Sequence, residues 1–332
     1  MKVLFIGGTG IISSACSQLA LQKGMELYLL NRGKSFRPVP AGAKVLSGDI
    51  RNLESAQAAL ADHAFDVVVD WVAFTPQHIE TDLALFTGRT RQYIFISSAS
   101  AYQTPPGYLP VTESTPLYNP EWEYSRNKIA CEERLMLAYR QDNFPMTVVR
   151  PSHTYDATLL PFHGGYTNVA RMRQGKPVLV HGDGTSLWTM THHADFAVGL
   201  VGLLGNPHAI GEAFHITSDE WLSWNQIYTM IAEAAGVVPQ LVHAPSELIA
   251  AFDPSMGPGL LGDKSHSMIF DNSKIRRLVP EFQPRIPFWQ GARQIIAWYD
   301  AHPEFQKVDA VFDAMQDKII AAIKSIVPQA GL

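Results

Sequence analysis

Apolar residues recur along the first half of the chain in two rhythms. Short unbroken runs at Val3–Ile6, Met25–Leu30, Lys44–Ser47, Phe65–Val69 and Arg91–Ile96 have the length and side-chain content of strands. Phe65–Val69 is almost wholly apolar, as a parallel strand buried on both faces should be. Between the runs the period is helical, in Ile11–Leu21, in a segment beginning near Leu53, and in Trp122–Arg140; Met146–Val149 adds a sixth strand. This alternation predicts an α/β fold with a doubly wound parallel sheet. Farther on, strands are expected near Ala213–Ile216 and Met268–Phe270, and helices near Trp224–Ala235, Ser273–Leu278 and Pro287–His302. They predict a smaller C-terminal α/β lobe, and Ala310–Ile326 an amphipathic tail helix packed on its own chain or on a partner.

The first connection carries chemistry. Gly7, Gly8, Thr9 and Gly10 stand between the first strand and the helix opening at Ile11-Ile12. Strand, glycine turn and helix start a dinucleotide-binding βαβ unit: glycines permit the tight turn and close approach of a pyrophosphate, and the helix offers unpaired N–H groups. The usual third glycine is Ser13 here, small enough for helix and strand to pack. Residues 1–155 are thus expected to form a dinucleotide-binding domain of Rossmann type. Residues 156–332 would be mainly a substrate-binding lobe, with some segments returning to the first domain.

The ends of the following strands refine the cofactor. After the second comes Asn31-Arg32-Gly33-Lys34, with no acid to bind ribose hydroxyls. Arg32 and Lys34 suit a 2′-phosphate, so NADP is expected over NAD. Asp49 and Ile50 after the third strand suit the adenine, although Asp49 would equally cap the next helix. Val72, Ala73 and Phe74 after the fourth would lie against the inner ribose. A serine loop containing Ser98 follows the fifth strand. Tyr124 and Lys128 come next, four residues apart on one helix face. A lysine ammonium near a phenol, together with the positive nicotinamide of an oxidised cofactor, would lower its pKa and make Tyr124 a general acid/base, with Ser98 orienting the substrate oxygen.

Composition narrows the classes. The chain has 332 residues, 46% apolar and 17% charged, with a net charge of −5 and a pI of 6.2; a dedicated nucleic-acid binder would carry a basic excess. Cys16 and Cys131 have no metal-ligand spacing and are expected to be reduced in a cytoplasmic protein. His192-His193 lacks a third ligand, so no metal is expected. No leader is expected before Lys2, and no apolar run is long enough to span a bilayer.

The segments GGTGIIS, GDI, ISSASAY, YSRNK and VVRPSHTY, in this order, resemble the extended short-chain dehydrogenase/reductase family, the NAD(P)-dependent epimerases and dehydratases. The resemblance implies that Ser98, Tyr124 and Lys128 are the catalytic serine, tyrosine and lysine. It also implies that Pro151, Ser152 and His153 belong to the segment holding the nicotinamide carboxamide, and that a homodimer would use the helix carrying the tyrosine. The double glycine and the Arg-Gly-Lys turn resemble an atypical branch that includes chloroplast stem-loop RNA-binding proteins. Sugar-nucleotide members keep arginines for the diphosphate after the Gly-Asp-Gly turn and before the late strand. Both are missing, unless Lys264, Arg171 or Arg173 substitutes. Asp195 would cap or pack the helix that follows it. Tyr102, Tyr118, Trp122, His153, His163 and Trp188, with Phe74 and Tyr166, are the expected pocket walls, suited to a small sugar-like, polyol or phenolic substrate. The expected activity is hydride exchange with a hydroxyl or carbonyl carbon. The alternatives are a cofactor-retaining sugar or nucleotide-sugar epimerase or dehydratase, and a non-catalytic RNA-binding relative.

Overall fold

The computed structural model describes residues 1–61 and 63–326. The chain opens with β1 (Lys2–Ile6), α1 (Ile11–Gln22), β2 (Glu26–Asn31), β3 (Lys44–Ser47) and α2 (Leu53–Leu60). It continues with β4 (Phe65–Asp70), α3 (Pro76–Phe86), β5 (Thr90–Ile96), α4 (Glu123–Asp142) and β6 (Met146–Pro151). Later come α5 (Tyr166–Arg173), α6 (His193–Leu203) and, as seventh strand of the central sheet, β7 (Ala213–Ile216). The sheet order is β7-β6-β5-β4-β1-β2-β3, with every neighbouring pair parallel.

Both faces of this sheet are covered, which explains the unbroken apolar runs. Val3 and Phe5 pack with Cys16 of α1 and Phe196 and Leu200 of α6. Leu4 and Ile6 point the other way, to Ile79 and Leu83 of α3 and Cys131 and Leu135 of α4. Both cysteines are buried and free. Strand order reverses between β1 and β4, and at such a switch point the connections diverge and leave a crevice at the carboxyl ends.

The rest of the chain forms a second core around Tyr155, Trp188, Trp224, Ile227 and Ile295. It contains three short pairings: Val178–His181 with Leu241–Ala244, Leu187–Trp188 with Leu222–Ser223, and Met190–His192 with His153–Tyr155. Ala310–Ile326 packs on its own chain. Ile319 and Ile320 enter an apolar cluster with Leu179 and Ala244, and Arg171 grips Asp313 at 2.5 Å and Asp317 at 2.7 Å.

Two local expectations are corrected and two are narrowed. Ala213–Ile216 belongs to the central sheet, because its residues pair with Val148–Pro151 of β6. Met268–Phe270 is extended but forms only an isolated bridge, Phe270 to Val111. Asp49 does not cap α2; Asn52 does, accepting Ser55 N–H at 2.9 Å. Asp195 does not cap α6 either. The His192 ring accepts Ala194 N–H, while Asp195 accepts Ile286 N–H at 2.9 Å and ties down a distant loop.

Candidate active site

A groove runs over the carboxyl ends of β1, β2 and β4. Its outer part, about 420 Å³, is lined by Asn31, Arg32, Lys34, Asp49 and Ile50 among others. Its inner part, about 470 Å³, is lined by Gly7 through Ser13, Tyr124, Lys128 and Pro151. Thr9, Val72 and Phe74 line both parts, so the two are continuous. Gly7 and Gly8 adopt φ of +105° and +94°, a region that L side chains avoid. A Cβ on Gly8 would stand 2.5 Å from Leu29 Cδ2. Ser13 fills the third-glycine position by receiving the Gly10 N–H on its hydroxyl at 2.7 Å. The first turn of α1 closes only at Ser14 N–H to Gly10 C=O, 3.0 Å. The amides of Ile11 and Ile12 therefore have no acceptor within the helix. Free amides, a glycine cradle and flanking cations fit an elongated dianionic dinucleotide.

Two groove residues escaped sequence reading. Ser35 donates to Thr9 C=O at 3.3 Å. Arg37 pairs with Asp156 at 3.0 Å and also donates to Thr158. Together they draw the loop after β2 across the groove as a strap. Only spatial neighbours reveal this, since Asp156 lies far along the chain. Arg32 itself sits 3.7 Å from Asp49, both partly exposed.

The inner end holds the three residues singled out for chemistry. Lys128 is fully buried, and its Nζ donates to Ala73 C=O and Ile96 C=O, each at 2.7 Å. It stands 5.7 Å from the Tyr124 ring centre. Burial lowers its pKa to about 8, opposed first by the Asp70 carboxylate. In the protein alone the Tyr124 phenol is shifted the other way from the lowering expected with oxidised nicotinamide beside it. Burial pushes its pKa up, the Ser98 hydroxyl pulls it down, and Asp263 adds to the rise. The physical reason is that the ammonium is engaged by two carbonyls while the ring is desolvated. Ser125 donates to Ser100 at 2.8 Å, and Ser100 and Ser98 hydroxyls meet at 2.8 Å. A relay in that direction leaves the Ser98 proton free to point outward.

Past Tyr124 lies a chamber of about 280 Å³, lined by Ser98, Trp122, Tyr124, His153, Trp188 and Lys264 among others. Tyr124 and Pro151 line both groove and chamber. His153 Nε2 and Trp188 Nε1 are buried without a protein partner. Burial takes the His153 pKa down to about 3, so the ring is neutral at ordinary pH. His163 does not line the chamber; its Nε2 is also unpartnered and its pKa is lowered by burial to about 4.

Other expected wall residues are elsewhere. Tyr102 is fully buried and hydrogen-bonds His215 at 3.0 Å. Tyr118 is 58% exposed and outside the chamber. Tyr166 stacks on Tyr299 in the second core. Ala73 lines neither part of the groove; it is buried, and its carbonyl receives Lys128. Arg171 is spent on the tail helix and Arg173 on Asp300 at 2.8 Å, which leaves Lys264 alone of the three to line the chamber. His192 and His193 bond Gln294 and Ile11 C=O. Among the described residues no three His, Cys, Asp or Glu side chains gather as a metal site, and no described helix is long and apolar enough to cross a membrane.

Residues 3–217 match the NAD dependent epimerase/dehydratase family. The chain belongs to that family. It is an enzyme of a group whose similar members include a reductase, epimerases and dehydratases. It is 26% identical over 291 residues to 2′-dehydrokanamycin reductase of Streptomyces kanamyceticus, covering 86% of this chain and 81% of the reductase. It is also 26% identical over 257 residues to the chloroplast stem-loop binding protein of 41 kDa b of Arabidopsis thaliana, covering 73% of this chain but 65% of that protein. Among solved structures, UDP-glucose 4-epimerase of Bifidobacterium longum in complex with NAD+ and UDP superposes with a TM-score of 0.75 at 19% identity, over 92% of this chain and 100% of the other. That likeness is one of fold.

Proposed function

We propose that this family member is an NAD(P)-dependent oxidoreductase acting on a hydroxyl or carbonyl carbon of a small, sugar-like or polyol substrate. The observation that carries this reading is the double position of Tyr124, which lines both the groove and the chamber. In this reading residues 1–155 hold the cofactor and residues 156–332 supply most of the substrate wall. Gly7 through Ile12 would receive the pyrophosphate, Asn31 to Lys34 with Asp49 and Ile50 the adenosine end, and Val72, Phe74 and Pro151 to His153 the nicotinamide end. The nicotinamide, when bound, supplies or accepts the hydride.

The protein's own residues handle the proton. Tyr124 exchanges its phenolic proton with the substrate oxygen, and Ser98 donates to that oxygen and fixes its direction. Lys128 holds its ammonium 5.7 Å from the Tyr124 ring centre, while the Ser98 hydroxyl opposes the burial that raises the phenol's pKa. Neutral His153 and the Trp188 indole N–H offer hydrogen bonds without charge, which suits hydroxyl-rich ligands. The chamber has a single ammonium or guanidinium among its lining residues. A nucleotide diphosphate needs paired cations, so a compact substrate is favoured over a nucleotide sugar. We infer NADP over NAD from Arg32 and Lys34 in the outer groove. With a net charge of −5, a small-molecule partner is favoured over RNA.

The Ser35–Arg37 strap favours a second reading. A loop tied across the groove to Asp156 would slow cofactor escape, as in an epimerase or dehydratase that regenerates its cofactor each cycle. One experiment separates the two. The purified protein is denatured and the supernatant analysed for nucleotide. Exchange of added cofactor within a turnover, with net loss of NADPH absorbance on carbonyl sugars or net gain from NADP+ on polyols, supports the oxidoreductase. Stoichiometric NAD(P) retained through purification, with no net change on turnover, supports the epimerase. Absence of any dinucleotide affinity would remove both.

A further inference from the structure

Beneath the inner end of the groove lie two acids the chemistry above does not use. Asp70 ends β4 and Asp82 lies in α3; both are fully buried. Asp70 Oδ1 accepts the amides of Val72 at 2.5 Å and Ala73 at 2.9 Å. Asp82 Oδ2 accepts the Tyr93 hydroxyl at 2.5 Å. One oxygen of each, Asp70 Oδ2 and Asp82 Oδ1, is left buried without a donor, and the Asp70 carboxylate is near enough to add to the rise in the Asp82 pKa. Two ionised carboxylates cannot share such a site without large cost, and two oxygens without a donor cost further. One proton between them answers both.

We propose that Asp70 and Asp82 share a single proton, carried on Asp82, and that this pair is the positioning element for the loop Trp71–Phe74 and, through it, for Lys128. The path is explicit. Asp82 donates to Asp70. Asp70 receives the amides of Val72 and Ala73. The Ala73 carbonyl, fixed on the same peptide run, receives the Lys128 ammonium at 2.7 Å. The Asp70 charge also favours that ammonium. Val72 and Phe74 of the same loop line the groove, so the pair holds both a wall and a charge. The part concerning Lys128 rests on the role proposed for it above.

The groups facing the pair are Lys128 and Cys131 on α4, His78 on α3, Tyr93 on β5 and Arg51 after β3. Burial raises the pKa of Asp82 well above the ordinary range, Asp70 adding to the rise, while Arg51 opposes it. Tyr93 is pushed up by burial and by both acids, so it stays a donor. Burial lowers the pKa of His78, which leaves that ring neutral at neutral pH.

The test uses the whole protein, with NADPH as probe. Infrared difference spectroscopy of wild type against Asp82→Asn at neutral pH should show a protonated-carboxyl band in the wild type alone. Asp82→Asn retains a donor toward Asp70 and an acceptor for Tyr93, so its NADPH Kd should stay within about 3-fold of wild type. Asp82→Ala loses both and should weaken NADPH by about 10-fold or more. No lost band, or an asparagine as damaging as the alanine, would overturn the shared proton and the positioning role. If Asp82→Ala does not fold, the band and the asparagine Kd still decide. Lys128→Met is run beside them. Unchanged NADPH affinity there, with the band present, would refute the role given to Lys128 while upholding the shared proton.

Discussion

The groove and the chamber meet at one phenol, yet they are built differently. The groove is made of consecutive residues at strand ends: Gly7 through Ser13, Asn31 through Lys34, Val72 and Phe74. Much of its recognition is backbone geometry, with amides bared by glycine and by a helix start. The chamber is made of side chains from separated segments, Ser98, Trp122, His153, Trp188 and Lys264. A surface of backbone accepts one kind of ligand across a family. A surface of side chains changes its ligand whenever one of them changes, so the groove declares a cofactor class and the chamber only a size and a polarity.

Substitutions sharpen this contrast. The largest effect is expected at the junction. Tyr124→Phe should cut turnover by about 10³-fold, the scale of a lost general acid/base, with NADPH affinity little changed by fluorescence titration. Retained turnover would take Tyr124 out of the chemistry.

Next comes the groove's backbone. Gly8→Ala places a Cβ at φ +94° and 2.5 Å from Leu29 Cδ2. It should lower stability by about 1–3 kcal/mol, read by urea denaturation, and reduce affinity for NADH and NADPH alike. A loss confined to one dinucleotide would mean that the turn recognises more than the shared pyrophosphate.

A pH series probes the lysine between the two regions. Its folded pKa of about 8 lies below the ordinary 10.5. Between those values the unfolded chain binds the extra proton, so stability should rise with pH across that window relative to Lys128→Met. The penalty of the buried charge is fully present below about 8. NADPH affinity should move the other way and weaken as pH passes about 8, because the ammonium is lost. Parallel curves for the two proteins would break this account.

The smallest effect is at the exposed rim. Arg32→Ala should weaken NADPH by about 5-fold and NADH by less than about 3-fold, since one solvent-screened charge contributes about 1 kcal/mol. Asp49, 3.7 Å away, offsets part of that charge, so Asp49→Ala, which also loses the adenine contact, should weaken NADH more than NADPH. Equal losses for both dinucleotides on Arg32→Ala would remove the phosphate role.

Much of the fold was legible because its signals are local. Val3–Ile6 reads as a doubly buried strand from its own residues, and a glycine turn before a helix has few structural meanings. Ala213–Ile216 was legible as a strand but not as a member of the central sheet, since pairing with Val148–Pro151 is a long-range event. Tyr102 and Trp188 are both aromatic residues just past or within strands. One is sealed against His215 and the other lines the chamber, and nothing in their neighbours along the chain tells them apart.

By itself the sequence determined the alternation of strands and helices, the glycine cradle, the pairing of Tyr124 with Lys128 on one helix face, and the shortage of cations for a diphosphate. Each follows from contiguous residues or from composition. Only the tertiary structure decided that Arg171 and Arg173 are engaged elsewhere, that Arg37 straps the groove, that Asp70 and Asp82 meet, and that the Tyr124 pKa is raised. These depend on burial and on contacts between distant segments. Desolvation and long-range pairing are properties of the packed molecule, with no counterpart in any stretch of chain.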